Sequence, residues 1–277
     1  MFNNFGSYKI GVSFRGGAAK GLGGIGLVKY FQENNVKPYI VGGSSIGAII
    51  AALFSLGFGW RKMTGLLTHI HLRNFLSLSS ILHKGTFLSK QKFRKKILEY
   101  TGSAYIEDLP IKTIIFATDP IVGERVSITK GRLVDAIMAS SAYPVLMSPV
   151  KIHGQSLVDG DFFPSYSATT FRKIGAKTVF GVGSNFTAHL EDLDSNVIEQ
   201  MRNTYNILMR NYEHNLDKDD PVDIQVNYDA DDVHRFNFEM GEILVDRVYN
   251  QMNHNRKVKT FVKNCQKEFT AKEQNQL

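Results

Sequence analysis

Residues 37–57 read KPYIVGGSSIGAIIAALFSLG, and the joint in the middle of this stretch decides the fold. VKPYIVGG reads as a buried strand, and SIGAIIAALFSLG, small and apolar almost throughout, as the helix that follows it. Ser45 stands at the joint in the pattern Gly43-x-Ser45-x-Gly47. A strand that ends, turns sharply and continues as a helix presents such a serine at the helix start. The flanking glycines keep Cβ atoms out of the tight crossing. The helix N-terminus also puts partial positive charge beside an oxygen that must carry negative charge during attack. Alone the pattern is weak, and its setting between strand and helix is what makes it informative. Ser44 has no glycine two residues downstream and is assigned a structural part.

Outward from this joint, YKIGVSF at 8–14 alternates and carries β-forming residues, followed by the glycine turn RGGAAKG. LGGIGLVKYFQENN then spaces its apolar residues as a helix does. Strand, glycine turn, helix, twice over, is the alternation of an α/β protein with a parallel sheet. IKTIIFATD (111–119), KTVFGVGS (177–184) and PVDIQVNY (221–228) read as further strands. GRLVDAIMASSAYP reads as a helix stopped before Pro144, and residues 61–100 as helical. A polar helix is expected in DSNVIEQMRNTYNILMRNYEHNL, and one long helix from about Glu242 to Lys267, ahead of a polar tail. No repeat, low-complexity tract or linker divides the chain, so one domain over residues 1–277 is the economical reading.

The composition, 43% hydrophobic and 21% charged, is that of an ordinary soluble enzyme. No basic, apolar, small-residue leader opens the chain, so no secretory signal is expected. The longest apolar stretch, residues 46–60, is glycine-broken and too short to span a bilayer. These features point to the cytoplasm or the periphery of a membrane. The single cysteine, Cys265, excludes an internal disulfide and fits a reducing compartment. A net charge of +7 favours an anionic partner, such as nucleic acid or an acidic membrane surface. No RNP-like aromatic motif, zinc-finger spacing or arginine-rich recognition helix speaks for nucleic acid.

An activated serine needs a base. None of the 8 histidines sits in a setting that singles it out: His153 lies in a polar turn, and His69, His71 and His83 in the basic helical region. LVDGD at 157–161 offers Asp159 at the end of an apolar run, with Asp161 as the other carboxylate of the turn. A buried aspartate of raised proton affinity can take a proton from a neighbouring hydroxyl. RGGAAKG supplies unhindered backbone N–H groups near a helix start, as an oxyanion requires. It lacks the spacing and terminal Lys-Ser/Thr of a P-loop and is not G-x-G-x-x-G, so nucleotide binding is the poorer use.

These pieces, in this order, resemble the patatin-like phospholipase family. Gly16-Gly17-Ala18-Ala19-Lys20-Gly21 is similar to its Gly-Gly-Gly-x-Arg/Lys-Gly stretch, Gly43 to Gly47 to its G-x-S-x-G, and Asp159-Gly160 to its Asp-Gly. The connectors FATDPIVGE and ASSAYPVLMSPVKIHGQSLVDGD fit as well, so that the resemblance covers residues 9–184. It implies a three-layer α/β/α sandwich with a mainly parallel central sheet. Ser45 would be the nucleophile and Asp159 its base, and the backbone amides of Gly16, Gly17 and Ala18 would form the oxyanion hole. The implied reaction is hydrolysis of carboxylic esters in phospholipids or other acyl lipids, with no metal or cofactor. The same acyl-serine could serve an acyltransferase or thioesterase, and a catalytically silent lipid-binding module could share the fold.

Three departures from the pattern carry expectations. Ala18 replaces the third glycine, and its methyl group calls for a negative φ there. Asp161 replaces a Gly or Ala, and a second carboxylate beside Asp159 would raise the pair's proton affinity or bind a cation. Ser165 and Ser167 stand where Asn and Pro are usual. In residues 61–100, Phe75, Leu76, Leu78, Ile81, Leu82, Phe87 and Leu88 are expected to wall or cap an acyl chain. Lys92, Arg94, Lys95 and Lys96 beside them suit an anionic membrane surface.

Overall fold

A computed structural model of the chain describes residues 8–163, 165–185, 204, 207–209, 211–212, 215 and 218–274. The runs IGVSF and IVGG have no exposed residue and form the two central strands, β1 (Ile10–Phe14) and β2 (Ile40–Gly43). With β3 (Lys112–Asp119), β4 (Glu124–Ile128), β5 (Val150–Ile152), β6 (Gln155–Asp159), β7 (Thr178–Ser184) and β8 (Ile224–Tyr228) they build one sheet. Its order is β5-β6-β3-β2-β1-β7-β8, with β4 paired to β3 off this path. The ladders from β3 through β2, β1 and β7 to β8 are parallel, whereas β4 and β6 lie antiparallel on β3, and β5 on β6.

One detail of this sheet positions the site. β3 pairs with β2 as far as Ile115 opposite Gly43, while β4 runs along the other edge of β3. Beyond Gly43 the vacated edge is taken by β6, with Ala117 opposite Asp159 and Thr118 opposite Val158. Asp159 consequently lies just past the end of β2, where residues 44–47 turn into a helix.

Helices lying wholly within the described residues are α1 (Gly24–Glu33), α2 (Ile46–Ser55), α3 (Trp60–Thr68), α4 (Leu78–Lys84), α5 (Lys90–Thr101), α6 (Leu133–Ser140), α7 (Ala168–Lys173), α8 (Gly241–His254) and α9 (Arg256–Gln274). Ile10, Val12 and Phe14 of β1 and Phe180 and Val182 of β7 face a thick layer that includes α1, α2, α6 and α8. On the other face α7 sets Phe171 over Ile40, Ile114, Phe116 and Val179. The architecture is an α/β/α sandwich with unequal outer layers and a mainly parallel sheet, as expected. All ten residues of α2 are buried, the mark of a core helix apolar on every side.

Several element boundaries differ from the sequence reading. The single C-terminal helix is two, because Asn255 is extended between them (φ −80, ψ 108) and its Oδ1 accepts from Val258 N–H at 3.2 Å as an N-cap. Residues 61–100 break into α3, a 3-10 turn at Leu72–Phe75, α4 and α5. Ser77 Oγ caps α4 through Ser80 N–H (3.2 Å), and Ser89 Oγ caps α5 through Lys92 N–H (3.3 Å). α6 stops at Ser140, short of Pro144. The polar helix expected after residue 193 lies largely outside the described residues. Among the described residues no helix is long and apolar enough to cross a membrane.

Candidate active site

The turn from β2 to α2 is as tight as the glycines suggest. A Cβ on Gly47 would lie 2.3 Å from Phe14 O, and one on Gly43 would lie 2.5 Å from the backbone of Gly47. The first turn of α2 therefore sits directly on the ends of β1 and β2. Between the two glycines Ser45 takes φ 52, ψ −124, a conformation that costs a non-glycine residue about 1–3 kcal/mol. The surroundings hold it there. Ser45 N–H donates to Ser140 O (3.2 Å) and Ser140 Oγ (2.9 Å), and Ser140 Oγ donates to Phe116 O (2.6 Å). Ser44 is buried, with its N–H on Phe14 O at 3.2 Å.

Asp159 closes β6 with 2% exposure, its N–H on Ala142 O at 3.1 Å. Its Oδ1 accepts from Asp161 N–H at 2.9 Å, and the Ser45 hydroxyl is near enough to favour its charged form. Burial first, and the negative charge of Asp161 second, push the Asp159 carboxyl well above the usual range; its hydrogen bonds and the charge of Arg235 act against this. Asp161 is raised by burial too, opposed chiefly by the Gly16 amide and by Arg125 and Arg15. Gly16 N–H donates to Asp161 Oδ1 at 3.0 Å. Arg125, brought down to about 10 by burial, donates to Ser165 O (2.9 Å) and to Ser167 Oγ. The Ser167 hydroxyl, where Pro is usual, and the Ser165 backbone carbonyl thus hold the arginine beside this second acid. The sequence expectation that Asp161 raises the proton affinity of Asp159 agrees in direction.

The loop after β1 departs from expectation at Ala18, whose φ is +53 rather than negative. Gly17 (φ 104) and Ala18 take consecutive left-handed conformations, because the chain must swing from β1 straight into a 3-10 turn at Ala18–Gly23. Ala19 N–H fastens the swing to Arg235 O at 2.9 Å. Gly17 and Ala18 line a pocket together with Ser45; the Gly16 amide donates to Asp161, whose charged form the Gly17 amide also favours. Lys20 is turned away, its ammonium 4.0 Å from Asp231. Gly21 and Gly160 are sites of close approach: a Cβ would meet Ile46 Cγ2 at 2.4 Å and Phe116 O at 2.3 Å respectively.

The pocket has Ser45, Asp159 and Asp161 at its polar end and apolar walls that include Ile49, Leu88, Phe93, Met147 and Phe238. Among the described residues no histidine lines it; His153 occupies the β5–β6 turn at φ 48. Of the seven side chains expected to wall an acyl chain, Leu88 does so and Phe75 is buried in the core. Leu76, Leu78, Ile81, Leu82 and Phe87 are exposed, Leu78 and Leu82 to 79% each. Phe87 N–H donates to Val145 O (3.3 Å) and Leu88 N–H to Leu146 O (2.9 Å), which sets exposed Phe87 and Val145 beside the pocket residues Leu88 and Leu146. Of the nearby cations, Arg94 pairs with Asp135 and Lys96 with Glu99 (3.0 Å), while Lys92 and Lys95 are exposed. The sequence reading missed Arg235, which lines the pocket from a stretch with no motif of its own.

Known proteins resemble this chain. An uncharacterized NTE family protein of Mycobacterium tuberculosis is 26% identical over 184 residues, covering 65% of this chain and 50% of that protein. Lysophospholipase NTE1 of Pyricularia oryzae is 24% identical over 180 residues, covering 62% of this chain and 12% of that protein. The chain thus spans half or less of the length of these curated relatives. Among solved structures, VipD from Legionella pneumophila superposes with a TM-score of 0.47 at 12% identity, covering 88% of this chain and 67% of VipD. Full-length ExoU of Pseudomonas aeruginosa in complex with SpcU gives a TM-score of 0.39 at 14% identity, covering 88% of this chain and 52% of that one. Residues 12–166, more than half of the chain, match the family profile of patatin-like phospholipases, and with the elbow, the glycine loop and the Asp-Gly turn all inside that match, the chain belongs to the patatin-like phospholipase family.

Proposed function

We propose that the protein hydrolyses carboxylic esters of phospholipids through an acyl-serine intermediate of the Ser45–Asp159 pair. The observation that carries this reading is that Ser45, on its strained turn, and a buried, proton-hungry Asp159 line the same largely apolar pocket. As Ser45 Oγ attacks the ester carbonyl, its proton passes to Asp159. The carbonyl oxygen becomes an oxyanion within reach of the Gly17 and Ala18 amides, whose loop the Gly16–Asp161 bond steadies. The C–O bond then breaks, and the departing alkoxide takes the proton from Asp159. Water, activated by the same carboxylate, attacks the acyl-serine and releases the fatty acid.

The apolar walls fit an acyl chain, and the exposed Leu78, Leu82, Phe87 and Val145 offer a route to it from a lipid surface. Lys92 and Lys95 add attraction for anionic headgroups. Binding to anionic vesicles should weaken in Leu78→Asp/Leu82→Asp and in Lys92→Glu/Lys95→Glu, and unchanged co-sedimentation of both variants would refute the docking face. The chemistry itself is tested by fatty-acid release from mixed phospholipid vesicles and by fluorophosphonate labelling. Wild type should do both, Ser45→Ala neither, and Asp159→Asn should lose release. Release that survives Ser45→Ala would overturn the proposal.

A further inference from the structure

We propose that Arg235 forms an anion subsite that takes the phosphate of a phospholipid whose ester carbonyl is at Ser45. This rests on the hydrolase reading above and adds to it a choice between phosphate-bearing and neutral acyl lipids.

Arg235 is the only cationic side chain among the described residues lining the pocket, whose other polar side chains are Asp159, Asp161, Ser45, Ser141 and Tyr143. Its place is set by the backbone, because its carbonyl accepts the Ala19 N–H of the glycine loop at 2.9 Å. Its charge reaches Asp159. The other cations of the neighbourhood are engaged elsewhere. Lys20 faces Asp231 at 4.0 Å, Arg15 lies over the Tyr166 ring at 3.7 Å, Arg125 donates to Ser165 and Ser167, and the charges of both arginines act on Asp161. Among the described residues no group accepts a hydrogen bond from the guanidinium of Arg235, a half-buried residue.

A guanidinium offers paired N–H donors that match two phosphate oxygens, and it keeps its charge at any working pH. In a glycerophospholipid the phosphate is tied to the acyl ester through the glycerol carbons, so an anion site must stand close beside the oxyanion loop. Arg235 is attached to that loop. A neutral acylglycerol would enter the same pocket and leave the guanidinium without its partner, which is how a built polar site discriminates.

The test compares lysophosphatidylcholine with a monoacylglycerol of the same acyl chain, both in the same detergent micelles. In Arg235→Gln the ratio of kcat/KM for the phospholipid to that for the acylglycerol should fall about tenfold to a hundredfold, and Arg235→Lys should recover part of it. A ratio unchanged in Arg235→Gln overturns the proposal: a parallel fall on both substrates would mean that Arg235 acts only through Asp159 or the loop. Equilibrium binding of the two lipids to Ser45→Ala, with and without Arg235→Gln, reads the subsite without turnover. Phospholipid preference should be lost with the arginine, and a preference that persists refutes the subsite. A wild type that cleaves neither lipid would refute the hydrolase reading, while this binding comparison still decides the role of Arg235.

Discussion

Two strand-to-helix turns leave the sheet side by side, one after β1 and one after β2, and they solve opposite problems. In the proposed reaction the turn after β2 must present one oxygen. It passes directly into an α-helix, stores its strain in Ser45 (φ 52), and relies on Gly43 and Gly47 for backbone contact. The turn after β1 must, in the same proposal, present N–H groups. It passes into a 3-10 turn, spreads left-handed conformations over Gly17 and Ala18, and is fastened from outside by Asp161 and Arg235. A nucleophile can be braced by the helix it starts. Amide donors left free for substrate cannot also be braced by helix hydrogen bonds, so their loop borrows its rigidity from distant residues.

Substitutions in and around the two turns should separate these roles, the most damaging first. Ser45→Ala should lower kcat/KM by about 10⁴-fold or more while the circular dichroism spectrum and Tm stay close to wild type, because only the oxygen is removed. Gly47→Ala should instead cost the fold itself, roughly 3 kcal/mol or more in a denaturant titration, since the new methyl would lie 2.3 Å from a backbone carbonyl that cannot move aside. Asp161→Asn keeps an acceptor for Gly16 but removes the charge that raises Asp159. Asp159 must be ionised to act as base, so activity rises with pH through its elevated pKa. Losing one cause of the elevation should move the acid limb of kcat/KM to lower pH. The mildest change falls in the turn after β1: Ala18→Gly relieves a left-handed alanine and should stabilise the protein by about 0.5–1 kcal/mol in the same titration.

The elbow and the parallel strands were legible because buried strands write themselves as apolar runs and the glycine turns punctuate them. β4, β5 and β6 were not. They are short and carry exposed residues, and the β5–β6 turn is His153-Gly154, both at positive φ, in place of the Asn-Gly that signals such a hairpin. The break at Asn255 had a readable cap that the long apolar periodicity of the C-terminal region hid. Within the site, Ser45 and Asp159 were findable from local motifs. Arg235 was not, since its proximity follows from one backbone hydrogen bond to Ala19, far away in the chain. At Ala18 the general preference of alanine for negative φ yielded to the geometry of leaving β1.

The edge of β3 that β2 surrenders to β6 has a consequence for how durable the site is. Ser45 and Asp159 arrive head-on along one track of the same ladder, so their separation is measured in rungs of the sheet rather than by the length of any loop. A one-rung slip of β6 would turn Asp159 to the opposite face and end the pairing outright. Such a geometry has no half-tuned settings: the spacing is digital, and it can fail only together with the register of the strand that carries it.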